Sequence, residues 1–194
     1  MSSPSVGHAS IVLRGSACVS GARPNPYAAR VKGTVRYADP MSWSLVMAIG
    51  EAIAPLGDDF QAWATRCSLI QVGPAGPPEA MAQVASDALR GFASPVRFPS
   101  ATPSAPAGLA CIVHGIRGPT LALTLPVEEA VTLALHLSSD WLSRGVVEGA
   151  LIAAPLPSGV GAPTAGCVLL ARGEGPAVDV ARVTRALREG TALP

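Results

Sequence analysis

Charge is what this sequence has least of. Of its 194 residues only 14% are Asp, Glu, Lys or Arg, while 49% are hydrophobic; an ordinary soluble domain is about 25% charged. So little charge cannot comfortably cover a lone monomer. Part of the surface is therefore expected to be buried against another chain, because exposed apolar patches beyond a few hundred Å² mark interfaces. The net charge is +1 and the basic residues are scattered singly, which excludes the positive stripe of a nucleic-acid binder.

Chemistry-bearing residues are equally sparse. The histidines are His8, His114 and His136, and their spacing suggests neither a metal site nor a catalytic pair, so structural roles are expected. Cys18, Cys67, Cys111 and Cys167 lie far apart, without the close pairs of a zinc or redox motif. They read as small buried hydrophobes in a reducing cytosol. There is no G-x-S-x-G, which excludes the sharp turn of a serine hydrolase. The glycine-rich "PSGVGAPTAG", 157–166, lacks the lysine and following Ser or Thr of a phosphate loop and reads as a connection. No cofactor and no metal are expected. The N-terminus lacks a basic start, and Arg14 interrupts its one apolar run, so neither a signal peptide nor a membrane helix is expected. A cytoplasmic protein without membrane contact follows.

What is present is an alternation of short apolar runs and helical patterns. Strands are expected at 9–19, 67–72, 120–125, 148–154 and 166–172, from apolar runs closed by glycine or proline. Helices are expected over 43–57, from Pro78 to about Gly91, over 107–118 in a small-residue run, and from Pro126 to about Gly145. A closing helix or tail follows from Val178. The segment 93–108, with prolines at 95, 99, 103 and 106, reads as an ordered loop or a linker. Strands alternating with helices define one layered α/β domain over 1–194, with a mixed sheet.

The helix opening at Pro126 raises the functional question. A helix start supplies free N–H groups and a positive dipole end, which would activate a cysteine there. Here stands Val127, which cannot be deprotonated, flanked by Pro126, Glu128 and Glu129. First-turn glutamates complement the helix dipole; acid–base catalysis by Glu128 or Glu129 is the other reading. Leu133, Leu135, Leu137 and other apolar residues cover most of this helix, which marks it as a core element.

At this point the order of elements resembles the N-terminal half of a β-ketoacyl synthase of the thiolase fold. The matching stretches are "FPSATPSAPAGLACIVHGIRGP" at 98–119, "TLALTLPVEEAVTLAL" at 120–135, "SRGVVEGALIAAPL" at 143–156 and "APTAGCVLLAR" at 162–172. Counted from Gly118 and Pro119, the family's nucleophilic cysteine falls on Val127. The family's two catalytic histidines belong to a C-terminal half that the resemblance does not include. What the resemblance implies is a thiolase-like half without a nucleophile, similar to the chain-length factors that pair with active ketosynthases. The implied role is a non-catalytic subunit in polyketide, aryl-polyene or fatty-acid-like biosynthesis. Its implied partners are a β-ketoacyl synthase or a second copy of itself, and an acyl carrier protein. In that family the strand before the nucleophile pairs across a twofold axis. "GPTLALTL" takes its place, so Gly118, Pro119, Leu121, Ala122, Leu123, Thr124 and Leu125 are the expected interface, in a strand buried on both faces. Two other readings stand beside this one: an acyl-thioester enzyme using Glu128 or Glu129, and a homodimeric scaffold or acyl-binding protein.

Overall fold

Apolar runs become strands here almost where their boundaries put them. In the computed structural model, which describes residues 10–20, 24–31, 38–92, 94–156 and 164–190, the expected strand at 67–72 is β2, Cys67–Val72, and every residue of it is buried. The first strand, β1, is Ser10–Ser20; Ala9, its expected first residue, lies outside the described residues. After β3, Thr120–Leu123, come β4, Gly149–Leu156, and β5, Thr164–Gly173. Thr164 and Ala165, expected in the glycine-rich connection, are thus the start of β5; 157–163 lie outside the described residues.

The five strands form one sheet in the order β1-β5-β4-β2-β3. β4, β2 and β3 run parallel, while β5 is antiparallel to both β4 and β1. The sheet is mixed, as expected. Near Leu13 and Gly15 the register of β1 shifts, and glycine is needed there because a Cβ on Gly15 would lie 2.1 Å from the Ala52 carbonyl oxygen.

Six helices, α1 (Pro40–Ile53), α2 (Asp59–Ala64), α3 (Pro78–Leu89), α4 (Ala105–His114), α5 (Val127–Ser143) and α6 (Val180–Glu189), connect or flank the strands. α1 and α4 cover one face of the sheet, with Leu45, Val46, Ile49, Ala107 and Ala110 packed on Leu69, Leu151 and Leu169. α5 and α6 cover the other, with Val131, Ala134, Leu142, Val183 and Leu187 packed on Ile70, Ile152 and Leu170. The result is three layers, helix on sheet on helix.

Several boundaries differ from expectation, each for a local reason. α1 begins three residues early because Asp39 caps it, accepting from the Met41 N–H at 2.8 Å, with Pro40 in the first turn where its missing N–H costs nothing. It gives way after Ile53 to a 3-10 turn, Ala54–Leu56, at Pro55. α2 is an addition: six residues are too few to show periodicity, and only packing of Phe60 and Ala64 holds the turn. The proline-rich 93–108 segment is not a linker, since it contains a 3-10 turn at Phe98–Ala101 and the first turn of α4. Buried Gln71 of β2 ties it down: Nε2 donates to the Pro103 carbonyl at 2.9 Å, and Oε1 accepts from the Ala107 N–H at 3.1 Å. Asp87, near the end of α3, receives hydrogen bonds from Gln83 and Arg90 and pairs with Arg97. Burial opposes its charge, yet these partners together hold the carboxyl below its ordinary value.

α5 also differs. One side is buried through Ala130, Val131, Ala134, Leu135, Ser138 and Leu142, but Glu128, Glu129, Thr132, Leu133, His136 and Asp140 are exposed. It is an amphipathic helix over one sheet face, not a helix apolar on most of its surface. The residues at its expected end behave normally: Gly145 takes a left-handed φ of 68°.

Candidate functional site

The site is built where the parallel strands end. β2 leaves the sheet through Val72 into the turn Gly73–Pro77 and α3; β3 leaves through Leu123 into Thr124–Pro126 and α5. The connection after β2 passes to the α4 side and that after β3 to the α5 side. Between such oppositely leaving connections a crevice opens at the carboxyl ends of the strands. Here it is a cleft of about 410 Å³, lined by Met41, Pro74, Gly76, Pro126, Val127 and Leu156 with neighbouring prolines and alanine.

Val127 is the first residue of α5, with Pro126 as its N-cap at φ −49° and ψ 142°. No side chain caps this end, and the first helical bond is Ala130 N–H to the Pro126 carbonyl at 2.9 Å. The first-turn N–H groups therefore have no intrahelical acceptor. A thiol at this position would meet them; a valine presents methyl groups. Glu128 turns away from the cleft to pair with Arg188 of α6 at 2.5 Å, and Glu129 is exposed. Neither glutamate lines the cleft.

The native thiols are held away from such chemistry. Burial pushes all four up: Cys67 to about 12 and Cys167 well above its ordinary value, with Cys18 and Cys111 also raised. Cys67 and Cys167 are buried as expected, while Cys18 and Cys111 are half-exposed. His114 is structural: its Nε2 lies 2.9 Å from the Val46 carbonyl oxygen and its ring stands edge-on to Tyr27 at 5.0 Å. Burial lowers its pKa. His136 is exposed on α5, and His8 lies outside the described residues. Among the described residues no three His, Cys, Asp or Glu side chains form a metal-holding group, and no helix is long and apolar enough to cross a membrane.

The expected interface strand is the second part of the site, and it is shorter and more exposed than expected. β3 ends at Leu123, because its partner β2 ends at Val72 and Pro126 restricts the backbone before it. Thr124 and Leu125 lie beyond the strand and are exposed. β3 is not buried on both faces: it is the edge of the sheet, with Leu121 38% exposed and Ala122 and Leu123 half-buried. Gly118 and Pro119 are taken up by β2. The Gly118 N–H donates to the Cys67 carbonyl, against which a Cβ would sit at 2.4 Å, and the Pro119 carbonyl accepts from the Leu69 N–H at 3.0 Å.

The ladder fixes which β3 groups stay open. Pro119 and Leu123 both give their carbonyls to β2, from Leu69 and Gly73 respectively. Backbone direction alternates along a strand, so the N–H and C=O groups of Thr120 and Ala122 point outward. Beside this edge, Ile112 of α4 is 68% exposed, and Phe92, just before the proline-rich segment, and Val96 and Phe98 within it are exposed as well. Sequence reasoning assigned these four residues no role in the site; for Val96 and Phe98 the signal was apolar residues inside a segment too rich in proline to bury them.

A three-layer mixed α/β unit, with a helix starting directly after an edge strand, is the architecture that the resemblance to a thiolase-like half implies. Solved structures agree with that class. The ishigamide ketosynthase/chain length factor matches with a TM-score of 0.64 at 12% identity, over 84% of this chain and 62% of that one. A ketosynthase in complex with its chain length factor from Xenorhabdus doucetiae matches at 0.59 and 12% identity, over 86% of this chain and 80% of that one. A type II polyketide acyl carrier protein in complex with its ketosynthase matches at 0.63 and 14% identity, over 84% and 62%. The chain thus spans about three fifths of the first and third of these relatives and four fifths of the second. It has the ketosynthase-like, thiolase-type fold. No protein-family model and no curated protein sequence matches the chain.

Proposed function

We propose that this protein is a non-catalytic, chain-length-factor-like subunit that pairs with an active β-ketoacyl synthase and contributes to the pocket that receives the growing acyl chain. The observation that carries the reading is the conjunction of Val127 at the uncapped start of α5 with the open, apolar edge of β3 immediately before it. A helix start without a thiol cannot hold an acyl group as a thioester. An edge strand with outward backbone groups and exposed Leu121 and Ile112 invites a second strand. The neighbours described as complexes of a ketosynthase with its chain length factor, and with an acyl carrier protein, support the same kind of partners here. Pairing by Thr120–Leu123 across a twofold axis would continue the sheet into the other chain, with roughly 1,600 Å² buried in a stable complex.

Light scattering on the purified protein, alone and mixed with a ketosynthase encoded in the same genome, tests the reading. A one-to-one complex is expected, with the protein alone forming a weaker homodimer. A monomer in every mixture would overturn it. Malonyl-thioester decarboxylation or condensation above background by the protein alone would overturn the non-catalytic assignment.

A further inference from the structure

We propose that the outward face of α3 is a self-association surface, on which α3 of a second copy of this chain packs antiparallel with Ala85 at the twofold axis. This face is not the β3 edge, and the proposal stands whether or not the protein pairs with a ketosynthase. α3 is turned inside out. Its one buried residue is Asp87, with Ala80 and Val84 half-buried. Outward, Met81 is 45% and Leu89 90% exposed, and Ala82, Ala85 and Ala88 between them are exposed as well. Residues spaced as 81, 85, 88 and 89 share one side of a helix, and Phe92, 61% exposed, follows just past its end. A helix with its charged residue inward and its apolar stripe outward has the polarity of a docking element, because a helix that serves only its own core turns the stripe in.

The inward contacts hold this helix as a fixed rod. The Ala80 N–H donates to Asp39 Oδ2 at 2.9 Å, and Asp87 accepts from Gln83 Nε2 at 2.9 Å, from the Arg90 guanidinium, and pairs with Arg97 at 3.6 Å. Little order is therefore lost on docking. The stripe itself selects the occupant. In an antiparallel pair centred on Ala85, Met81 lies against Leu89 of the second copy and Ala85 against its own equivalent, so an alanine at the crossing lets the axes approach to roughly 8 Å. Charge agrees with that direction. Glu79 stands in the first turn and makes no ion pair among the described residues, while at the other end Asp87 is shared by Arg90 and Arg97, which leaves one positive charge in excess. Antiparallel packing sets the acidic start of each helix beside the basic end of the other, whereas a parallel pair would set like ends together. One helix pair is a small contact, in the class below about 1,200 Å², so the dimer is weak.

Sedimentation velocity is run on the whole purified chain over a concentration series, and repeated with Ala122→Pro, which removes pairing through β3. A reversible dimer is expected in both. Leu89→Asp, or Met81→Asp should the first variant lose its circular-dichroism spectrum, is expected to weaken it at least about tenfold, and Glu79→Arg about threefold. With oxidised glutathione as oxidant, Ala85→Cys is expected to form an intermolecular disulfide. Ser86→Cys, equally exposed but about 100° further round the helix, is expected to form none above the native chain. A monomer at every concentration would overturn the proposal, as would association that survives both Leu89→Asp and Met81→Asp, or cross-linking of Ser86→Cys as complete as that of Ala85→Cys. Association abolished by Ala122→Pro and untouched by Leu89→Asp would assign it to β3 alone and overturn the proposal too. No ketosynthase enters these measurements, so their outcomes are independent of whether the protein pairs with one.

Discussion

The two faces of the sheet bury the same kind of core and present opposite surfaces to the outside. Under α1 and α4 lie Leu45, Ile49, Leu69 and Leu169; under α5 and α6 lie Ile70, Leu142, Ile152 and Leu170. Beyond these cores the symmetry ends. The α4 side exposes Ile112, Phe92, Val96 and Phe98, and Val96 and Ile112 line an open groove of about 410 Å³. The α5 side exposes Glu128, Glu129, Thr132, His136, Asp140 and Arg144, and α6 adds Arg185 and Arg188. The polar residues exposed on α5 and α6 make that the wet side. Charge itself is not confined to that side, since Glu51, Asp58, Asp59, Arg66, Glu79, Arg90 and Arg117 are exposed on elements outside α5 and α6; the contrast lies in the exposed apolar residues of the α4 side.

The largest effect expected from breaking this asymmetry is on assembly. Ala122→Pro removes an outward N–H of β3 and should weaken association with a partner at least about a hundredfold by light scattering or titration calorimetry, with the circular-dichroism spectrum unchanged. Leu121→Pro would instead disrupt the inward ladder to β2 and lower stability, which separates the two directions of the strand. Ile112→Asp should weaken association by a similar route, whereas Thr132→Asp, its counterpart on the wet side, should have no effect on it.

Next in size is the chemistry of the helix start. Val127→Cys should create the most reactive thiol of the protein, alkylated by iodoacetamide at least about tenfold faster at pH 7 than any of the four native cysteines. A helix N-terminus stabilises a thiolate, while burial raises Cys18, Cys67, Cys111 and Cys167. If the introduced thiol reacts no faster than Cys111, this helix start has lost its activating geometry as well as its nucleophile.

The two cores themselves should respond alike. Ile49→Ala on one face and Leu142→Ala on the other each remove a fully buried side chain and should each cost about 2–5 kcal/mol in urea unfolding. A large difference between them would mean that one face is less well packed than its burial shows.

The pH response comes from the α4 side. His114 has its pKa lowered by burial below the ordinary 6.5, so the unfolded chain takes up a proton before the folded one does. Its contribution to stability is complete above pH 6.5 and is lost as pH falls from 6.5 through the lowered native value. Arg30, over the Tyr27 ring, adds to the cost of charging it; the Val46 carbonyl works against that. His114→Gln should flatten this part of the stability–pH curve. The smallest effect belongs to the wet side: Arg188 and Glu128 are both more than half exposed, and Arg188→Ala should change stability by less than about 1 kcal/mol.

The strands were legible because each is an apolar run closed by glycine or proline, and β2 kept both its expected ends. α2 was not, since one and a half turns leave no period to read. β3 was legible in place but not in exposure. Leu121 and Leu123 look the same in sequence, but Leu123 packs against the α5-side core while Leu121 is left exposed on the edge strand. Likewise Leu133 and Leu135 look equally fit for a core, but the side of α5 that meets the sheet takes one and leaves the other to water.

Sequence by itself determined the alternation of strands and helices, the mixed layered class and the absence of a nucleophile at Val127, because these depend on local periodicity, on turn residues and on the identity of one side chain. Tertiary structure decided which strand is an edge, which way Glu128 points, that prolines from the turn after β2, the start of α3, the cap of α5 and the end of β4 enclose one cleft, and that Gln71 and Asp39 tie distant segments together. Asp39 takes the Ala80 N–H at 2.9 Å across 41 residues, and Gln71 reaches Ala107 across 36. Bonds of that span leave no mark on local pattern, since neither partner's neighbours carry any trace of the other; they exist only once the chain has closed on itself.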